Sequence, residues 1–257
     1  MTDDRPGVSG TDETVLARAV TAHGGWKRWN ELKRITIDLI TGGQLWDLKG
    51  IGQDYTPRHV NASLHYERLV LAPYGQPSWH MVFTPDRVAI EDEDGSVVLE
   101  RPNPRSSFDG HDIGTPWDPL HRAYWIGYTL WTYLMTPFLL CTSGFEVSEI
   151  PPWHEGSEVW PGVRAKFPPE IASHCTMQHF YFGPDLLLRR HDYTVDVAGG
   201  FAAAHYVSDY IEADGLILPS KRRAYMRDNS NKPMHDKLMI AIDFSNARFH
   251  GREDFSG

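Results

Sequence analysis

The sequence predicts an α+β fold built mainly from antiparallel strands. Three observations carry that expectation. Apolar and polar residues alternate with period two in one segment after another, the pattern of half-buried strands. Turn signals separate those segments at short intervals, among them Pro85-Asp86, Glu93-Asp94-Gly95, Pro184-Asp185, Gly199-Gly200 and Asp214-Gly215. One aromatic stretch without a charge, Ala123 to Leu140, interrupts the series, and strands resume after it. No linker divides the chain, so residues 12–257 read as a single domain behind a disordered segment, 1–11.

In chain order, Asp12 to His23 places Val15, Leu16, Ala19 and Val20 on one face and predicts a helix stopped by Gly24-Gly25. Trp26 to Lys33 predicts a further helical turn. Ile35, Ile37 and Leu39 alternate with Thr36 and Asp38, which marks the first strand. Gly42-Gly43 is expected to turn the chain into a second strand near 45–49. More strands are expected near 58–72, 79–84, 87–92 and 96–101. Residues 102–117 carry Pro102-Asn103-Pro104 and Gly114-Thr115-Pro116 and predict a loop of lid length.

Asp118 is a suitable N-cap and Pro119 a suitable first residue for the aromatic helix, which Pro137 ends or kinks. Tyr124, Trp125, Tyr128, Leu130, Trp131, Tyr133 and Leu134 make it apolar nearly all round, so it belongs inside the protein. Its length also matches a crude membrane criterion, but its Tyr, Thr and Pro residues and the lack of a second span favour a buried helix. The remaining strands are expected near 145–150, 159–167, 175–182, 186–197, 202–211, 216–227 and 237–249. Trp153-His154, after Pro151-Pro152, reads as a surface turn.

The net charge of −9 disfavours nucleic acid and anionic membranes as partners, because both need clustered Lys and Arg. The short run Lys221-Arg222-Arg223 reads as a solvated strand with one inward Arg. Cys141 and Cys175 are expected to be buried thiols in a reducing compartment. Met1 to Gly7 shows no apolar stretch, so no signal peptide and a cytoplasmic location are expected.

Short catalytic motifs are absent. There is no H-E-x-x-H, C-x-x-C or H-x-H, no G-x-G-x-x-G, no Walker A and no G-x-S-x-G. No cofactor and no metal are therefore expected. The chemistry has to come from polar residues on the apolar face of the last strands. Leu187, Arg189, His191, Tyr193 and Val195 share a face by period two, and Arg190, Asp192, Thr194 and Asp196 on the other face belong in water. His205, Val207, Asp209 and Ile211 share a face of the next strand. Leu218, Arg222, Ala224 and Met226 share one of the strand after it. Neighbouring strands lie about 4.8 Å apart, so His191, His205, Asp209 and an Arg can meet.

A His oriented by an Asp is a general base near neutral pH, an Arg holds a developing oxyanion, and Tyr193 can donate a proton. His191, His205, Asp209 and Tyr193 are thus the candidate catalytic set. Arg189, Arg222, Trp125, Tyr128, Trp131, His111 and His121 are the candidate substrate contacts. Two other readings stay open. Asp209 with Arg189 or Arg222 can be a purely structural buried ion pair, and His191, His205 and Asp209 can converge on zinc. His111 and His121 can equally be loop hydrogen-bonders or caps.

An N-terminal helix ending in Ala22-His23-Gly24-Gly25-Trp26 leads straight into strands. Asp209-Tyr210-Ile211-Glu212-Ala213-Asp214-Gly215-Leu216-Ile217-Leu218-Pro219 forms a strand-turn segment, and a strand from Lys237 to Phe249 closes the chain. In this organisation the chain resembles, over most of its length, the lipoprotein-localisation-factor-like (LolA/LolB-like) superfamily of bacterial periplasmic proteins. The resemblance implies an unclosed antiparallel β-barrel curved around an apolar cavity, with helices packed into its mouth. It implies a hydrophobic ligand, since the family's carriers hold lipid or acyl chains, and it implies no catalytic residue. The expected function is binding of a hydrophobic, aromatic or polycyclic molecule, with cofactor-free acid–base chemistry of the lyase, isomerase or cyclase type. The alternatives are a non-catalytic carrier or sensor, and a His/Asp metal enzyme.

Overall fold

Thirteen strands form one antiparallel sheet in the computed structural model, which describes residues 14–251. The expected disordered segment 1–11 and Asp12 lie outside the described residues. The first meander holds β1 (Leu32–Gly42), β2 (Arg58–Ser63), β3 (Leu69–Ala72), β4 (His80–Thr84), β5 (Arg87–Glu91) and β6 (Val97–Pro102). The second holds β7 (Glu146–Glu155), β8 (Glu158–Lys166), β9 (Met177–Phe182), β10 (Leu188–Val195), β11 (Phe201–Ala213), β12 (Leu216–Arg227) and β13 (Pro233–Gly251). The meanders join where β1 pairs with β13, Ile35 opposite Phe249 and Leu39 opposite Phe244. The sheet curves without closing, so β6 and β7 remain its two edges.

Four α-helices are described: α1 (Val15–Ala22), α2 (Trp26–Glu31), α3 (Leu45–Leu48) and α4 (Pro119–Met135). Thr14 caps α1 by accepting from the Ala17 amide. Asp118 and His121 form a reciprocal capping box at the start of α4, with Pro119 in the first turn. α4 lies mainly against β3–β6 and is buried on every side, from Ala123 through Met135. No helix among the described residues is long and apolar enough to cross a membrane.

Several expectations are corrected. Residues 45–49 are not a strand but the single turn α3, which buries Leu45 and Trp46. Gly43 decides this: at φ +117 it passes so close to β13 that a Cβ there would stand 2.3 Å from the Met239 carbonyl. Leu45-Trp46-Asp47-Leu48-Lys49 does not alternate strictly, and five residues fit one helical turn as well as a strand. The segment 58–72 is two strands, β2 and β3, joined by a turn that buries Glu67. Trp153-His154 is not a turn. It continues edge strand β7 beyond a bulge at Pro151-Pro152, and edges tolerate the missing amide donors of proline. Cys175 is buried as expected, whereas Cys141 is half-buried.

Two residues expected in water on the outer face of β10, Arg190 and Asp192, are buried instead, whereas Thr194 is half-buried and Asp196 is exposed. Arg190 and Asp192 are buried and paired twice, at 2.7 and 2.8 Å. Trp153 lies over the guanidinium at 3.8 Å, the Tyr206 hydroxyl and the Asn231 carbonyl accept from it, and Arg227 also donates to Asp192. The curled β7 and the β12–β13 turn supply these partners, and alternation along β10 alone gives no sign of them. Asp192→Ala would leave Arg190 buried without its carboxylate. It is expected to cost on the order of 3–5 kcal/mol, read as a lower urea midpoint at unchanged slope. A loss below about 1 kcal/mol would show that this pair behaves as a surface one.

Candidate functional site

The concave face of β9–β12 and the inner flank of α4 enclose a cluster of buried polar side chains. Register puts His191 directly opposite His205 and Phe180 opposite His191. Arg222 lies two residues before Ala224, the partner of His205, and so shares its face. α4 contributes Tyr128 and Tyr133, and the β8–β9 loop contributes His174. All of these side chains, with Gln178 and Tyr193, are buried.

Their hydrogen bonds form a chain. Tyr128 Oη meets His174 Nδ1 at 3.2 Å, and Tyr133 Oη meets His174 Nε2 at 3.0 Å. Tyr133 and Tyr193 hydroxyls stand 2.5 Å apart. Beside them, His191 Nε2 bonds Gln178 Oε1 at 2.7 Å, and Gln178 Nε2 donates to the Cys175 carbonyl. His174 stacks on Tyr193 at 4.1 Å and His191 on Phe180 at 4.2 Å. Arg222 donates to the Tyr133 carbonyl at 2.8 Å.

Burial sets the charge states. Loss of water pushes His174, His191 and His205 well below the ordinary imidazole value, and neighbouring cationic and imidazole groups add to the shift. The same burial raises Tyr128, Tyr133 and Tyr193. Arg222 is lowered to about 10 by burial and remains a cation at neutral pH. The cluster is therefore a set of neutral donors and acceptors around one positive charge.

The structure brings together His191, His205, Tyr193, Arg222 and Tyr128 from the sequence-derived set. Asp209 does not join them. It adopts φ +55, which breaks the alternation of β11 and turns its carboxylate out to Lys221 on the surface. The expected His–Asp couple, the Asp209 ion pair with Arg189 or Arg222, and the His191–His205–Asp209 zinc trio are therefore not assembled. Arg189 is also outside. A bulge between Leu188 and Arg190 displaces it from the inward row, and it pairs with Asp185 and Tyr210.

Trp125 lies at the edge of the cluster, its ring centre 5.9 Å from that of His174, and meets Trp46 edge-on at 5.4 Å. Trp131 is buried on another flank of α4 and donates to the Ser63 carbonyl of β2. His121 serves the α4 cap and bonds the Ser107 carbonyl, while His111 lies against it at 5.0 Å between ring centres.

A cleft of about 510 Å³ opens beside the cluster, between the turn after β6 and the β8–β9 loop. Arg105, Tyr124, Phe167, Glu170, Ser173 and Cys175 line it. Arg105 donates to the Ser173 carbonyl at 2.6 Å, and its guanidinium stands 5.9 Å from the Tyr128 ring centre. Behind the wall, buried Glu67 accepts from the Ala172 amide at 2.9 Å, and its Oε1 has no partner. Burial raises Glu67 well above the usual carboxylate range, against the Ala172 amide that lowers it.

Sequence reasoning did not single out His174, Tyr133, Gln178, Arg105 or Glu67 for this site. Gln178 was within reach of it: Gln178, Phe180 and Phe182 alternate on β9 opposite the His191 row. His174, Arg105 and Glu67 lie on loops and turns, where no periodicity assigns a direction.

No protein-family model matches the sequence, and no curated protein sequence matches it. Solved structures do match in fold. A DUF1329 family protein from Desulfovibrio piger aligns over 91% of both chains with TM-score 0.55 at 11% identity. A LolA superfamily protein from Nitrosomonas europaea aligns over 96% of both chains with TM-score 0.52 at 6% identity. A putative outer membrane lipoprotein-sorting protein domain from Vibrio parahaemolyticus aligns over 94% of both chains with TM-score 0.53 at 9% identity. This chain therefore has the LolA-like fold, a curved antiparallel sheet holding helices in its concavity.

Proposed function

We propose that this protein binds a hydrophobic small molecule, admitted by the cleft at Arg105 and held between α4 and strands β9–β12. One observation carries the reading. The chain Tyr128–His174–Tyr133–Tyr193 runs inward from beside the cleft, through a seam otherwise packed with aromatic and aliphatic side chains. α4 rests on the other half of the sheet, so this polar seam is where helix and strands can part for a ligand. Apolar walls with a few convergent polar groups are the usual make-up of a small-molecule site. The LolA-like fold of the chain agrees with this reading. A cytoplasmic location is part of the proposal, and cell fractionation would check it.

Nile red, a neutral apolar dye, tests the binding function. Saturable binding with blue-shifted emission is expected. Ser106→Trp, an exposed cleft residue filled with an indole, should weaken binding by roughly tenfold, the scale of about 1.4 kcal/mol, without lowering the melting temperature. Binding that does not saturate, or that ignores the Trp, would refute access through the cleft.

A second reading adds catalysis by proton transfer. It is favoured by His174, whose two ring nitrogens each meet a tyrosine hydroxyl, so that one tautomeric switch can pass a proton along the chain. Tyr133→Phe breaks that chain with the loss of one oxygen. With a molecule that co-purifies with the protein as substrate, Tyr133→Phe is expected to lower turnover by about 10²–10⁴ while Nile red binding is kept. A co-purifying molecule that returns unchanged after incubation with wild-type protein assigns the carrier role instead.

A further inference from the structure

We propose that the deep end of this site receives a carboxylate at the head of the apolar ligand, on Arg222 and His205. This rests on the binding function proposed above and names the chemistry of its ligand. The first support is a charge without a partner. Arg222 is 1% exposed, yet no carboxylate among the described residues pairs with it. Its neighbours are the Tyr133 carbonyl and the faces of Tyr133 and Phe244, at 4.9 and 5.7 Å. Its Nε has no hydrogen-bond partner. A buried guanidinium in this condition is costly, because buried charges need both a counter-charge and satisfied donors.

Arg190 gives the internal comparison. It is equally buried, and there the fold supplies a bidentate carboxylate and two further acceptors. The fold thus gives buried Arg190 a carboxylate and leaves equally buried Arg222 without one. The second support is His205, whose buried Nδ1 also lacks a partner. A neutral imidazole can present an N–H there. Third, the two groups stand together. They share the inward face of adjacent strands, and both lie against the Tyr133 ring, His205 at 4.5 Å between ring centres. A cation and a donor on one ring fit an anionic oxygen, and a planar carboxylate matches a guanidinium in shape. A neutral head group would leave the charge uncompensated.

The test is isothermal titration of the wild-type protein at neutral pH with two matched pairs, octanoate against octanamide and naphthoate against naphthamide. Each acid is expected to bind more tightly than its amide by on the order of tenfold, the scale of one charge-assisted contact. Arg222→Met should abolish the preference. Arg222→Lys should keep part of it, and His205→Phe should reduce it. Which acid binds better distinguishes an aliphatic from an aromatic ligand. As a readout independent of any variant, the Arg222 Nε–H resonance should shift with the acids and not with the amides. Equal affinity for acid and amide would overturn the carboxylate and leave the hydrophobic site standing. Failure of all four compounds to bind would remove the binding function itself. The same resonance shift with inorganic phosphate would reduce Arg222 to a site for any small anion and also overturn the proposal.

Discussion

The protein is expected to lose stability steeply as pH falls from 6.5 towards 4. Four buried imidazoles drive this: His23, His174, His191 and His205. His23 donates from Nδ1 to the Ala19 carbonyl, and its Nε2 accepts from the Leu188 amide. Burial lowers it to about 4 from 6.5. Burial holds the other three well below 6.5 as well. Between the depressed folded value and 6.5, the unfolded chain binds protons that the folded chain refuses. Stability is therefore complete above 6.5 and falls with pH through that window.

For His23 alone the change is about 3 kcal/mol at 1.36 kcal/mol per unit, and the cluster adds to it. Glu67 acts in the opposite direction. Its folded value is raised, so its contribution is present at low pH and lost as pH rises from 4.5 towards that raised value. One carboxyl does not offset four imidazoles. Urea titrations at stepped pH read the slope directly. His205→Phe should flatten it by up to one proton. A stability that is level from pH 7.5 to 5 would mean that these side chains are solvated.

Gly127→Val is expected to displace α4 and to prevent accumulation of folded protein. Gly127 is the point where the helix touches β4. A Cβ there would stand 2.2 Å from Phe83 Cγ and 2.6 Å from Phe83 Cβ. The base of Phe83 cannot move without its strand, and Phe83 is wholly buried. Even Gly127→Ala, which gains about 1 kcal/mol of helix propensity, is expected to lose more than that to overpacking, commonly about 1–3 kcal/mol. Phe83→Ala removes the 2.2 Å contact with Cγ but keeps the 2.6 Å one with Cβ, so the double variant should recover part of the loss and be more stable than the two single effects predict. Additive effects would show that the helix already has slack at this point.

This contact holds α4 on the first half of the sheet.

The architecture was legible along the chain wherever alternation ran for six residues or more between turn signals. Strands β10 to β13 and the capped, buried α4 are read correctly from period and caps, because those patterns are local. Inward placement of His191, Tyr193, His205 and Arg222 follows from the same alternation. Three things depended on tertiary structure, each for a physical reason. A single residue in a left-handed conformation, Asp209, or a one-residue bulge at Arg189 reverses the facing of a side chain without changing the sequence pattern. The burial of Arg190 and Asp192 depends on Trp153 and Asn231, which arrive from distant strands and turns. Loops have no period at all. The positions of His174, Arg105 and Glu67, and with them the cleft, were decided only when the β8–β9 loop, the turn after β6 and the β2–β3 turn met around α4.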